Sequence, residues 1–392
     1  MSSSLLLGLG FILLPLFFWP WAQIPHELPK VTFVIWWVRL LVVIGVFEFY
    51  SMRRKRIGTR FLLLILLFLV WIIITSLLGF DFYKSLIGNY FRQDGIFTLV
   101  HLVALAIYIA LFNQNKWKKI IPASISIGSL ITSIWVIILG IRLYIFSDIS
   151  VPNWSGAIGA SFGQPKFATG YLLVSLPFIY YCYRVSIGHK IKLFWIIAFF
   201  SIVVAILLTK SYAGILGLGF FSIFQLVLRL QKIKQKIGCI LIIFIAFFLV
   251  AIAIEQFRFE GFVAGSRNRI VTKLLLGASR RPWFGYGYAN VDYAFEAVDY
   301  PMYFAHDIYL DKAHSTILEV LVTTGIIGLL LYLGIIIAAG SKLLTYAKKD
   351  KLYGNTLLLA LMLFIFHSQT NVISISEEVL FWIIAGLAMS FM

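Results

Sequence analysis

Apolar stretches near twenty residues long recur from one end of this 392-residue chain to the other. Each is long enough to cross a hydrocarbon core of roughly 30 Å as a helix. With 61% hydrophobic and 12% charged residues, the chain has too little polar surface for a water-soluble globule. Twelve such spans are read, at about 3–22, 31–50, 61–80, 95–112, 120–146, 167–183, 193–209, 211–228, 237–254, 315–340, 354–371 and 378–392. The expected fold class is therefore an all-α integral membrane protein of about 12 transmembrane helices. The first span lacks a basic leader and a small-residue cleavage site, and it is expected to stay as a helix.

Charge placement orients the spans. Arg53, Arg54, Lys55, Arg56 and Arg60 follow the second apolar run, and basic loop residues favour the cytoplasm. Alternation then puts Lys116, Lys118 and Lys119, Arg184, Lys190 and Lys192, Arg229, Lys232, Lys234 and Lys236, and Lys342, Lys348, Lys349 and Lys351 on that same face. Both termini are expected to be cytoplasmic. The net charge of +17 is then topological and faces phospholipid, with no nucleic-acid partner implied. The acids show the opposite bias, so the polar chemistry is expected at the outer face of the cytoplasmic membrane. Cys182 and Cys239 lie at cytoplasmic helix ends and suggest no disulfide. No Cys/His spacing suggests a metal, and no cofactor fingerprint occurs.

The chain divides into residues 1–254 with nine spans, an outer loop or cap over 255–314, and residues 315–392 with three spans. A loop of that length is expected to be folded. Its middle, Arg280-Arg281-Pro282-Trp283-Phe284-Gly285-Tyr286-Gly287-Tyr288, reads as a tight turn. Residues 262–277 before it fit an amphipathic helix on the membrane surface. A short helix near 303–313 would put Asp311 and His314 on one face. Gly325 and Gly328, inside the tenth span, are assigned to close helix packing.

His314, at the junction of this loop and the tenth span, draws most attention. Ionisable groups at membrane depth are costly and usually functional. With Asp311 before it and Glu319 one turn into the span, His314 reads either as a general base oriented by a carboxylate or as a hydrogen-bonded group at a helix N-terminus. Glu319 is either part of that site or a packing partner, and His306 and His367 are read as structural. Cations also reach the outer side, among them Arg92, Lys166, Lys210, Arg267, Arg269 and Arg281. Such groups suit recognition of a diphosphate and of the charge it develops on leaving; alternatively they snorkel to headgroups.

Taken in order, His314-Ser315-x-x-Leu318-Glu319, Gly325-x-x-Gly328, Arg269, the Arg281–Gly287 turn and Gly163-Gln164-Pro165-Lys166 make the chain resemble the O-antigen ligase and polymerase family of bacterial membrane glycosyltransferases. The similarity covers about 150–340, with 195–335 the specific part. The resemblance implies a GT-C-like helical fold and an undecaprenyl-diphosphate-linked glycan donor, used without metal or cofactor. It also implies a glycan, lipid or protein acceptor and inversion at the anomeric carbon. His314 would activate the acceptor hydroxyl, and the diphosphate-binding Arg would fall on Arg267 or Arg269. Ser315 stands where the family usually has Asn. Ser211-Tyr212 replaces a frequent Ser-Arg, leaving Lys210 as the nearby cation. The resemblance does not separate a ligase from a polymerase or a protein O-oligosaccharyltransferase. A transporter or flippase of lipid-linked sugars is the competing class, and Arg39 and Glu48 would be its main mid-membrane groups.

Overall fold

The computed structural model describes residues 3–48, 58–112, 115–146, 158–230, 267–300 and 309–391. The expected ninth span at 237–254, the basic cluster at 53–56, residues 262–266 of the expected amphipathic helix and residues 303–308 lie outside the described residues. Among the described residues the architecture is helical, with no strand. The helices are α1 (Ser3–Leu13), α2 (Glu27–Glu48), α3 (Thr59–Leu77), α4 (Phe82–Ile87), α5 (Ile96–Phe112), α6 (Trp117–Tyr144) and α7 (Pro165–Val185). They continue with α8 (His189–Leu208), α9 (Tyr212–Arg229), α10 (Arg267–Arg280), α11 (Val291–Glu296), α12 (Thr316–Ala347), α13 (Lys351–Ser368) and α14 (Ile375–Ser390).

Among the described residues, seven helices are long and apolar enough to cross a membrane: α2, α3, α6, α8, α9, α12 and α13. The chain is thus a multi-pass membrane protein. Shorter apolar helices cover Ser3–Leu16 and Ile96–Phe112. The remaining two expected spans, α7 and α14, are interior helices. Every residue of α14 except Glu378 is buried, and α7 runs against α6, α8, α9, α13 and α14. Helices surrounded by protein need not present a purely apolar face to lipid, which lets them carry Thr169, Gly170, Glu377 and Glu378.

The helix ends sort onto two faces. At one end Trp117 Nε1 donates to Ser4 Oγ at 3.1 Å, Lys118 pairs with Asp350 at 3.1 Å, and Gly58 N donates to Met389 O at 3.2 Å. At the other end lie the N-termini of α2, α5, α7, α12 and α14, with α10 and α11 packed beside them. Helix α10 buries Arg269, Ile270, Lys273, Leu274, Gly277 and Ala278 and leaves Val271, Leu275 and Leu276 exposed, an apolar stripe suited to a membrane surface. Its inner face shares a small core with Tyr286, Val291, Phe295, Leu310, Leu318 and Val322.

That cap is bolted to α12 at a break in the helix. Gly325 has φ 70° and ψ −174°, a conformation that disfavours any side chain. The break frees carbonyls that cannot stay unsatisfied in an apolar bundle. Tyr286 N donates to Val322 O at 3.0 Å, Gly287 N to Thr323 O at 2.9 Å and Trp71 Nε1 to Thr324 O at 2.9 Å. In return, Ile326 N donates to Pro282 O at 2.8 Å. The expected tight turn at 280–288 is present, and its work is to cap the broken helix. Gly325 therefore corrects the packing assignment: it is a backbone break. Gly328 does serve close packing, since a Cβ there would meet the Thr324 side chain and come within 3.1 Å of Trp71.

Candidate active site

His314 sits where the chain enters α12, with φ 56°. Left-handed backbone in a non-glycine residue is uncommon and strained, and such residues concentrate at functional sites. The geometry is held from both sides. Ala313 is buried in the cap core. Ser315 N-caps α12 by accepting from Leu318 N at 3.4 Å, and it donates to Gln369 Oε1 at 2.9 Å. Gln369 Oε1 also accepts from Ile317 N at 3.2 Å. Ser315 thus performs the cap that was one of two readings for this junction. Among the described residues, no hydrogen bond engages the His314 ring.

Residues 309–313 are not helical, so the expected helical face shared by Asp311 and His314 does not form there. Asp311 Oδ2 instead accepts from Arg92 Nε at 2.9 Å, and the Arg92 guanidinium lies 5.0 Å from the Phe167 ring centroid. Burial holds the His314 imidazole below its ordinary value of 6.5, and Arg267, Lys166 and Arg92 push the same way against Asp311. Burial and these cations thus disfavour the protonated ring, and the neutral ring is the form a base requires.

Behind His314 lies a narrow cavity lined by Glu27, Arg92, Asp94, Tyr288, Lys312, Ser315, Glu319, Asn371 and Glu378, with Phe68, Tyr332, Phe364, Phe381 and Trp382 at its apolar side. Lys312 bridges two carboxylates, Asp94 Oδ2 at 2.6 Å and Glu319 Oε1 at 2.6 Å. Burial alone would lower the Lys312 ammonium, but Asp94 and Glu319 hold it well above the ordinary lysine value. Burial alone would raise Asp94, but Lys312 and Arg92 hold it below the usual carboxylate range. Glu27 Oε2 accepts from Ile375 N at 3.0 Å, tying the start of α2 to the start of α14.

The six candidate donor-binding cations separate. Arg92, Lys166 and Arg267 act on His314 through their charge. Arg269 is fully buried in the cap, where its Nε donates to Tyr300 O at 3.2 Å and its guanidinium faces Phe295 at 5.4 Å. Arg281 lies on the Phe80 ring at 4.4 Å. Lys210 lies on the Tyr144 ring at 4.2 Å. Of the six, only Arg92 lines the cavity. Of the expected catalytic trio, His314 and Glu319 line it, and Asp311 joins it through Arg92.

Sequence reasoning passed over Glu27, Asp94, Lys312, Gln369, Asn371 and Glu378. All are polar residues near the ends of apolar helices, which is the one signal they share. His367, read as structural, proves to be paired with Glu377 inside the bundle, Nδ1 to Oε1 at 2.9 Å, with both side chains fully buried.

Residues 197–333 match the family model described as O-antigen ligase. The matched stretch holds Arg269, the 281–287 turn, His314, Ser315, Leu318, Glu319, Gly325 and Gly328, which carry most of the resemblance to that family, whereas Gly163–Lys166 lie outside it. No curated protein matches the chain.

Proposed function

We propose that this chain, a member of the O-antigen ligase family over residues 197–333, transfers a glycan from an undecaprenyl-diphosphate carrier to an acceptor hydroxyl at the outer face of the cytoplasmic membrane. The observation that carries this reading is His314: an imidazole with no hydrogen bond among the described residues, on strained backbone at the wall of a cavity, whose protonation burial and the charges of Arg267, Lys166 and Arg92 disfavour. His314 takes the acceptor O–H proton as that oxygen bonds to the anomeric carbon. The bond from that carbon to the phosphate oxygen breaks, and its electron pair leaves with the diphosphate. Arg267, Lys166 and Arg92 offset the charge that gathers on the leaving group. Attack opposite the departing phosphate inverts the anomeric centre. Glu319, held by Lys312, keeps the floor of the site in place, and Asp311 acts on His314 by charge while it fixes Arg92.

The test compares carrier-linked glycan pools in cells with wild type or His314→Ala at equal membrane abundance. General-base loss is expected to slow transfer about 10²–10⁴-fold, with unused carrier-linked glycan gathering on the outer face. Accumulation on the cytoplasmic face would point to a flippase instead. Unchanged pools would overturn the catalytic role.

A further inference from the structure

A buried chain of polar groups runs from α14 to Arg267, and it is not consumed by the transfer step. Glu377, fully buried, receives His367 Nδ1 at 2.9 Å to Oε1 and 3.1 Å to Oε2. A carboxylate only accepts, so Nδ1 carries a ring hydrogen, and in the Nδ1–H tautomer Nε2 is the acceptor. Nε2 lies 3.4 Å from Asn371 Nδ2. With the amide nitrogen turned toward the imidazole and toward Thr370 Oγ1 at 3.2 Å, the amide oxygen faces the other way. There Asn371 Oδ1 accepts from Arg267 at 3.4 Å.

The bundle makes room for this chain. A Cβ on Gly170 would stand 2.2 Å from Glu377 Oε2 and 2.4 Å from His367 Cε1, so α7 has no side chain where the pair lies. Lys166, another neighbour of His314, sits one turn earlier on the same helix. Asn371 lines the cavity, whereas His367 is fully buried behind it.

We propose that Glu377, His367 and Asn371 are positioning residues for Arg267: the carboxylate sets the imidazole tautomer, the tautomer sets the amide, and the amide oxygen holds the guanidinium beside His314. The proposal rests on the reading of Arg267 as a diphosphate ligand. Its chemical content is that the amide must present oxygen, not nitrogen, to a cation. An Asn371 turned the other way would direct two N–H groups at the guanidinium and push it off the leaving phosphate.

The experiment measures binding of glycan-free undecaprenyl diphosphate to the purified full chain in lipid nanodiscs, with thermal unfolding as a fold control. Arg267→Ala and His367→Leu are each expected to weaken binding about tenfold, the loss of one hydrogen bond to a charged group. Because both act on one contact, the double variant should be no weaker than either alone. His367→Gln can donate to Glu377 and accept from Asn371, and it should stay within about threefold of wild type. If His367→Leu does not fold, Glu377→Ala, which removes the acceptor of the Nδ1 hydrogen, takes its place in the cycle. Losses that multiply to about a hundredfold would mean independent effects and would overturn the relay. So would an impaired Arg267→Ala beside an unimpaired His367→Leu, which leaves the diphosphate reading standing. Unchanged binding in Arg267→Ala would overturn the diphosphate reading and the relay with it.

Discussion

Arg92 donates from Nε to Asp311 Oδ2 at 2.9 Å, and this contact joins the loop ahead of α5 to the loop ahead of α12. It brings a guanidinium beside His314 from a segment more than two hundred residues away in sequence. It also ties one oxygen of Asp311, the expected orienting partner of the imidazole, to a cation.

The charges around His314 set the acid limb of the pH profile. If His314 is the base proposed above, activity requires the neutral ring, so it is present above the imidazole value and is lost as pH falls through it. Arg267 lowers that value and Asp311 raises it. Arg267→Ala is expected to move the acid limb to higher pH, and Asp311→Asn to lower pH. Carrier release by purified enzyme, followed as a function of pH, measures both. Equal limbs in the two variants would remove these charges from the site.

Lys312 holds two carboxylates together. Replacing it with Ala leaves both without their cation, at a cost of about 3–5 kcal/mol for a buried pair, and folded yield from membranes should collapse. By contrast, Lys210 is exposed and rests on Tyr144. Lys210→Ala should cost no more than about 0.5–1 kcal/mol. Thermal unfolding of the two variants side by side measures the difference.

The Asp94–Lys312 pair also predicts acid tolerance. Asp94 is held below 3.8 and Lys312 well above 10.5. The stabilisation from Asp94 is complete above its unfolded value and fades only as pH falls through its lower folded value. That from Lys312 fades only as pH rises through its raised one. Asp94→Asn should therefore remove a stability increment that is flat across neutral pH. A melting-temperature difference from wild type that varies steeply between about pH 5 and 8 would contradict the pairing.

Gly325→Ala is the sharpest test of the broken helix. Its Cβ would stand 2.1 Å from Trp283 O, and a left-handed alanine adds about 1–3 kcal/mol of strain. The expected result is a lower melting temperature together with protease sensitivity in the 281–287 turn, because that turn loses its seat. Protection equal to wild type would mean that the turn does not depend on the break.

The cations give a comparison of their own. Arg267 and Arg281 both lie in the matched family stretch, but only Arg267 neighbours His314. Undecaprenyl diphosphate binding should fall about tenfold in Arg267→Ala and stay near wild type in Arg281→Ala. The reverse order would move the diphosphate to the Phe80 face of the cap.

The membrane class, the helical content and the tight turn at 280–288 were legible in the chain itself. Twenty-residue apolar runs leave few alternatives to a helix, and Pro and Gly mark a turn by their local backbone preferences. Those properties depend on neighbours in sequence. The partners of Arg92, Lys312 and His367 do not, since Asp311, Asp94 and Glu377 lie on other segments and look like any polar residue at a helix end. The six cations could not be sorted from the sequence for the same reason: charge says that a residue seeks a partner, and packing alone decides which. Gly325 could be read as one more small residue inside a helix. That it breaks α12, and that the turn caps the break, follows only from the buried carbonyls of Val322, Thr323 and Thr324, which must find donors wherever the assembled bundle supplies them.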